Sequence, residues 1–331
     1  MWPGTSYNSW KSMDEGQSDQ YMEIDGQRIA PGERKVVRLG IARLPTGTLI
    51  DIPVHVIRAK EAGPVLLVQA GLHGDEINGV ETLRRMLQKN LFGIQRGSLI
   101  VVPIVNVFGF IHFSRDLPDG KDVNRSFPGR KTGSLASRIA HAYTGQVLPL
   151  VDYGIDLHTG GAQRHNHPQV RYTQNDQRSK ELAEVFGPPY YFPSKMIGGS
   201  FRKICHRMGV PTLVYEAGES MRFDEGAIRA GIQGIQNVMA HLGMSAPMVG
   251  NIASPSIHLE QTRWTRAPRA GMFVPQVECG QRVEKGQQMG MITDTYARAT
   301  KKIKAPFEGH IICINHQAVV NQGDALFHLG R

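Results

Sequence analysis

The stretch Pro64–Leu87, PVLLVQAGLHGDEINGVETLRRML, decides the fold class. Its first six residues are an apolar run of strand length. From Val80 onward, apolar residues recur at Leu83, Met86 and Leu87, which is helical spacing. Between the two lies AGLHGDE, so His73 sits where a strand hands over to a helix and Glu76 falls on the first helical turn. Apolar residues or a plain turn would serve the connection itself. An imidazole and two acids there point to chemistry, because open α/β sheets bind their ligands beyond the carboxyl ends of the strands.

Outward from this stretch the same alternation continues. Residues 35–60 alternate in strand fashion and predict edge or antiparallel strands, and further apolar runs occupy 98–105, 151–157 and 211–215. Helical patterns lie between them at 77–90, 134–148, 176–186, 200–208 and 224–243, and Gly209 reads as a helix stop. This order predicts an α/β fold, a mixed sheet flanked by helices.

Past residue 250 the texture changes. NIASPS is linker-like, and two similar halves follow, APRAGMFVPQVECGQRVEKGQQMGMI from Ala267 and APFEGHIICINHQAVVNQGDALFHLG from Ala305. Short strands and glycine turns in two pseudo-symmetric halves predict a small C-terminal all-β domain. The expected organisation is a disordered or extended lead-in over 1–34, a catalytic domain over 35–250 and a β-sandwich over 251–331. The two-halved pattern resembles the biotinyl/lipoyl-type barrel-sandwich domain, whose modified lysine lies at the hairpin between the halves, where this chain has Lys301 and Lys302. The methionines that flank a biotin-attachment lysine are missing, and a solvated basic loop is the expectation.

Bulk properties narrow the class. The 331 residues include 38 Lys and Arg against 29 Asp and Glu, a net charge of +9. The basic residues are spread along the chain without an aromatic-interleaved patch, which argues against nucleic acid and leaves a field favourable to acidic substrates. No run approaches a membrane span, and the first residues lack a secretory pattern. The expectation is a cytoplasmic protein, with a homo-oligomer open. Cys205, Cys279 and Cys313 have no CxxC partner and read as reduced thiols.

Four elements carry chemistry. His73-x-x-Glu76 can aim an imidazole and a carboxylate at one point, both groups that Zn²⁺ takes. In IDLHTGG, His158 ends a second apolar strand, with Asp156 on the same side to steady it. Two histidines and one carboxylate make the ligand set of several hydrolytic zinc sites. In VYEAGE, Glu216 ends a third strand and fits the general base that such a site needs, with Glu219 as the competing candidate. The loop 114–130 brings Arg115, Asn124, Arg125 and Arg130, groups able to stabilise an oxyanion or grip a carboxylate. In RHNHPQVR, His165 and His167 read as part of a loop lining the pocket, with Arg171 facing an acid, and a second metal on the HxH pair is the less favoured reading. Arg202, near a helix start, is a further substrate-binding candidate.

HGDE, DxNRxFPG, DLHTG and the strand-ending YEAGE, in this order, resemble the succinylglutamate desuccinylase/aspartoacylase family, a branch of the zinc carboxypeptidase fold. The resemblance spans roughly residues 35–330. It implies one Zn²⁺ per chain held by His73, Glu76 and His158, and Glu216 as the base that activates water and later protonates the leaving amine. It also implies that Asn124 and Arg125 grip a substrate carboxylate. Arg115 is the nearest match to the carbonyl-polarising arginine, but its spacing to Asn124 differs, so either that role or substrate binding alone is open to it. The expected activity is a zinc-dependent deacylase acting on the amide of an N-acyl amino acid or similar small acid, not on peptide bonds. A metallocarboxypeptidase and a non-catalytic binding or carrier protein are the alternatives, and the β-domain is expected to shape the mouth of the site.

Overall fold

The computed structural model describes residues 21–43, 46–246, 256–296 and 298–331. The first twenty residues of the expected lead-in, and most of the expected linker near 251, lie outside these. The rest of the lead-in is folded: β1 (Met22–Ile24) and β2 (Gln27–Ile29) form a hairpin whose Met22, Ile24 and Ile29 are buried. Three-residue strands are too short to produce a readable alternation, which is why the sequence pattern missed them.

The centre is a mixed sheet built on four neighbouring parallel strands, of which β5 (Glu61–Gln69), β7 (Tyr153–Gly160) and β10 (Thr212–Glu219) carry the site and the fourth lies beyond β5. Beyond β5 follow β6 (Arg96–Val102), β4 (Leu49–Arg58) and β3 (Arg34–Arg43). Strand alternation splits the apolar residues between two faces. Leu67, Ile100 and Val102 pack against α3 (Leu135–Gln146) and α5 (Phe201–Arg207). Leu66, Val68, Leu99 and Val101 face α1 (Ile77–Gln88), α4 (Gln177–Phe186) and α6 (Glu225–His241). A short helix, α2 (Val107–Ile111), follows β6. Side-chain caps start most of the long helices: Ser134, Asp176, Ser200 and Asp224 each accept a main-chain N–H from the first turn.

On its other side β10 pairs antiparallel with β8 (Arg164–Thr173), the segment expected to be a pocket-lining loop. Its run RHNHPQVRYT holds polar residues at buried positions and a proline, so neither alternation nor an apolar run marks it as a strand. β8 in turn carries β9 (Tyr190–Ser194), on which β11 (Ile257–His258) adds, and pairs with β17 (Gly309–Asn315). β19 (Ala325–Gly330), β12 (Thr262–Arg266) and the short β14 (Arg282–Val283) complete this side. The C-terminal strands therefore continue the catalytic sheet by main-chain pairing.

The remaining four strands, β16 (Thr300–Lys304), β15 (Gln288–Thr293), β13 (Gly271–Pro275) and β18 (Val319–Val320), form a second sheet in that order. A separate core of Phe273, Ile292, Ile311, Phe327 and Leu329 fills the space between the two. The repeat seen in the sequence is visible as one turn made twice: Gln287 Oε1 accepts from Glu284 N at 2.9 Å, and Asp324 Oδ2 from Asn321 N at 2.7 Å. Lys301 and Lys302 are exposed within β16. Among the described residues no helix is long and apolar enough to cross a membrane.

Candidate active site

β5, β7 and β10 end side by side, and each delivers a functional group there. β5 runs into the 70–76 loop with His73 and Glu76; His158 lies near the end of β7; Glu216 lies opposite it on β10, as its direct neighbour in the parallel ladder. The 70–76 loop is pinned by Gly74 N donating to Ser114 O and Met221 N donating to Asp75 O. At Gly74 a Cβ would collide with the main chain at Gly109 and Phe110, so this close approach requires glycine.

Glu76 occupies the N-cap of α1, yet its side chain caps nothing. Its two oxygens go to the two histidines instead: Oε1 lies 2.7 Å from His73 Nδ1, and Oε2 lies 2.9 Å from His158 Nδ1 and accepts from Thr159 N at 3.0 Å. The three side chains are buried, and their donor atoms converge within 4.8 Å of one another. His158 Nε2 meets Asp156 Oδ2 at 2.8 Å, and Asp156 Oδ1 accepts from the buried Gln69 at 3.0 Å. Asp122 Oδ1 stands 3.4 Å from His73 Nε2, and Arg115 bridges Asp122 (2.9 Å) and Glu76 (3.3 Å).

This set fits a divalent cation. Asp156, a carboxylate, can only accept, so His158 Nε2 carries the proton. Nδ1 then presents its lone pair towards another carboxylate, an arrangement that holds only if the imidazole is doubly protonated or a cation sits among the three groups. The charge balance says the same. Burial pulls the His158 imidazole down, but Asp156 and Glu76 outweigh it and raise it well above its ordinary value. Burial likewise pulls His73 down, and Glu76 and Asp122 raise it. Burial pushes the Glu76 carboxyl up, while His73 and His158 hold it well below the usual range. A buried anionic pocket of a carboxylate and two imidazoles, the imidazoles backed by Asp122 and Asp156, is the environment of a metal-binding histidine.

Of the other residues singled out in the sequence, Arg115, Asn124, Arg125, Arg171, Arg202 and Glu216 line the same cavity of about 540 Å³, whereas Arg130, His165, His167 and Glu219 lie outside its lining. Glu216 is gripped by Arg171 Nη1 at 3.2 Å and Asn166 Nδ2 at 2.8 Å. Asn124 turns its amide oxygen to Phe201 N (2.9 Å), and Arg125, half exposed, donates to Asn124 O with Asp122 at 3.7 Å. Arg202 is buried and donates to the carbonyls of Tyr172, Ser194 and Lys195. Glu219 points elsewhere, to His316 at 2.9 Å, and His165 pairs with Asp224 at 3.3 Å. His167 packs on Tyr190, with ring centroids 5.3 Å apart. Sequence reasoning missed Asp122, Gln69 and Asn166. Asp122 opens the DxNR motif and Gln69 is a polar end to an apolar run, so both left a signal. Asn166 left none. The C-terminal region adds Trp264 and Arg266 of β12 and Asp324 of the turn before β19 to the cavity wall.

Comparison with known proteins agrees with this geometry. Residues 62–242, more than half of the chain, match the family described as the succinylglutamate desuccinylase/aspartoacylase catalytic domain. The N-alpha-acetyl-L-2,4-diaminobutyric acid deacetylase of Halomonas elongata is 26% identical over 88% of this chain and 90% of its own. An aspartoacylase family protein from Mesorhizobium loti superposes with a TM-score of 0.80 at 25% identity, over 91% of this chain and 95% of the other. The ectoine utilization protein EutE (DoeB) of Ruegeria pomeroyi, in a product-bound structure, shares the fold with a TM-score of 0.83 at 22% identity, over 94% and 98%. The chain, with the His–Glu–His pocket at the end of its parallel strands, belongs to the succinylglutamate desuccinylase/aspartoacylase family of amide-bond deacylases.

Proposed function

We propose that the protein is a zinc-dependent deacylase that hydrolyses the amide of an N-acyl amino acid, with one zinc held by His73, Glu76 and His158. The observation that carries this reading is the placement of Glu216. It is a carboxylate outside the ligand set, yet it is the ladder neighbour of His158 and opens on the same cavity. Zinc bound there supplies a Lewis acid that acidifies water and polarises a carbonyl. Glu216 takes a proton from the attacking water and returns it to the departing nitrogen, so water and amide become a carboxylic acid and an amine. Arg115, tethered by Asp122 beside Glu76, places positive charge where the oxyanion develops.

Substrate binding falls to the guanidinium with donors to spare. Arg202 is occupied by three carbonyls and the largely buried Arg171 pairs with Glu216 through Nη1, whereas Arg125 is half exposed at the cavity and engages Asn124 O through Nη1. We assign the substrate carboxylate to Arg125, beside Asn124. The C-terminal strands use a biotinyl/lipoyl-like pattern as a wall of the cavity. The basic lining suits an acidic substrate, which keeps the deacylase reading ahead of a carrier role.

The test is metal content and turnover together. About one zinc per chain, lost in His73→Ala, is expected, with turnover of N-acyl amino acids. Glu216→Gln is expected to keep the zinc and lose about 10²- to 10⁴-fold in kcat. Turnover of acidic peptides alone would move the assignment to a carboxypeptidase. Full activity in Glu216→Gln would remove Glu216 as the base.

A further inference from the structure

We infer that Asn166 is a positioning residue for Glu216, set in place by a β-bulge in β8; the inference rests on the reading of Glu216 as the base. The ladder between β10 and β8 runs Val214 opposite Arg171, Tyr215 opposite Val170 and Glu216 opposite Gln169, then Gly218 opposite Asn166. Two steps along β10 thus match three along β8. The surplus residue falls in His167-Pro168, where proline offers no N–H to the ladder.

The surplus changes which face Asn166 occupies. Side chains alternate along a strand, so Gln169 and Arg171 share the face of Val214 and Glu216. In an unbroken strand position 167 would join them and Asn166 would point to the opposite face. The bulge resets the alternation, and Asn166 Nδ2 reaches Glu216 Oε2 at 2.8 Å while Arg171 Nη1 takes Oε1 at 3.2 Å. A carboxylate only accepts, which fixes the Asn166 amide with its nitrogen inward. Two donors, one on each oxygen, set the plane of the carboxylate about its last torsion, which Arg171 alone leaves free. A second guanidinium at 166 would hold Glu216 equally well but add positive charge beside it and weaken it as a proton acceptor. A neutral amide orients it without that second charge.

The bulge is itself held from the far side. Cys313 of β17 pairs with Asn166 and Ile314 with His165, and buried Gln169 reaches Ile312 O at 3.4 Å. The C-terminal strands therefore fix the segment that aims the base.

The experiment compares Asn166→Ala, Asn166→Asp, Glu216→Gln and the double variant Asn166→Ala/Glu216→Gln, each as the zinc-loaded full chain on the N-acyl amino acid turned over fastest. Asn166→Ala is expected to lower kcat by about 10- to 100-fold with KM within about threefold and zinc content unchanged. Asn166→Asp keeps the shape but sets a carboxylate against a carboxylate, and is expected to lose at least as much. The double variant is expected to be no slower than Glu216→Gln, because groups that act as a unit do not add. A wild-type kcat in Asn166→Asp overturns the inference even if Asn166→Ala fails to fold. So does a double variant that is slower again by the full Asn166→Ala factor. Wild-type kcat in Glu216→Gln instead defeats the base assignment, and this inference with it.

Discussion

The two halves of the central sheet divide the work. On one side, the parallel strands β5, β7 and β10 bring His73, Glu76, His158 and Glu216 to a single edge, each group within a few residues of a strand end. On the other, the antiparallel strands β8, β17, β19 and β12 supply no ligand, yet they carry both donors to Glu216 and the far wall of the cavity. The parallel half supplies reactive groups through local motifs. The antiparallel half supplies orientation through pairings between residues far apart in the chain, such as Asn166 with Cys313. In this molecule the groups that hold Glu216, the proposed base, come from the side of the sheet that the C-terminal strands complete.

That division requires the C-terminal strands to fold as one body with the catalytic sheet, and Ile312 is the place to break it. Ile312 is fully buried in a small cluster with Tyr190, Phe192 and Leu259, where β17 meets β9. Truncation there removes contacts with Tyr190 and Phe192 that join the two regions, along with the contact to Leu259 of the C-terminal region itself. Ile312→Ala is expected to cost about 2–4 kcal/mol, with a single cooperative unfolding transition that moves to lower temperature as a whole. Two separate transitions in calorimetry, with the catalytic one unmoved, would show that the C-terminal strands are an independent module and that the comparison above is wrong.

How much was legible in the sequence follows the same line. The helices and the parallel strands announce themselves because each buries an apolar face of regular period, and the proposed metal ligands announce themselves because His73, Glu76 and His158 interrupt that period at or just beyond strand ends. Asp156 was readable too, two residues before His158 on the same face. β8 was not readable. Its buried Asn166 and Gln169 are polar because they bond to Glu216 and to β17, and those partners lie 50 and 143 residues away. A pattern built from local burial treats such residues as loop. The bulge then compounds the difficulty, since it shifts the face by one residue with only Pro168 as a local mark. The hairpin at 22–29 was missed for a simpler reason, strand length.

His328 sharpens the comparison through pH. It is buried on β19, stacked on Trp264 at 4.5 Å and set edge-on to Phe192, so it belongs to the scaffolding half alone. Burial, aided by Arg171, pulls its imidazole down from 6.5 to about 3. The unfolded chain therefore takes up a proton at this residue below about pH 6.5, while the folded chain does not until about pH 3. Stability is lost as pH falls through that window, by about 2 kcal/mol between pH 7 and pH 5. His328→Gln cannot titrate, so its denaturation free energy is expected to fall less over the same interval by about that amount. Parallel losses in variant and wild type would mean that His328 is not held neutral, and that the Trp264 stack is looser than its geometry implies.

The smallest effect belongs to Glu219, and it discriminates most finely between the two halves. Glu219 ends the same strand as Glu216, three residues on, and by sequence alone competes with it for the role of base. In the fold a bulge between Glu216 and Glu219 in the β10–β7 ladder, next to Gly218 with φ +74°, separates the two. Gly218 is where the chain needs a conformation that L residues seldom adopt. Past that point Glu219 leaves the cavity and pairs with the partly exposed His316 of the C-terminal region. A pair so placed contributes at most about 1 kcal/mol. Neither side chain lines the cavity, so Glu219→Ala and His316→Ala are expected to leave kcat within about fivefold of wild type, a barrier change of at most about 1 kcal/mol, with little change in melting temperature. A loss in Glu219→Ala as deep as that of Glu216→Gln, with His316→Ala silent, would transfer the base to Glu219. The two donors from β8 would then be holding a structural carboxylate, and the orienting role given to the antiparallel half would have to be withdrawn.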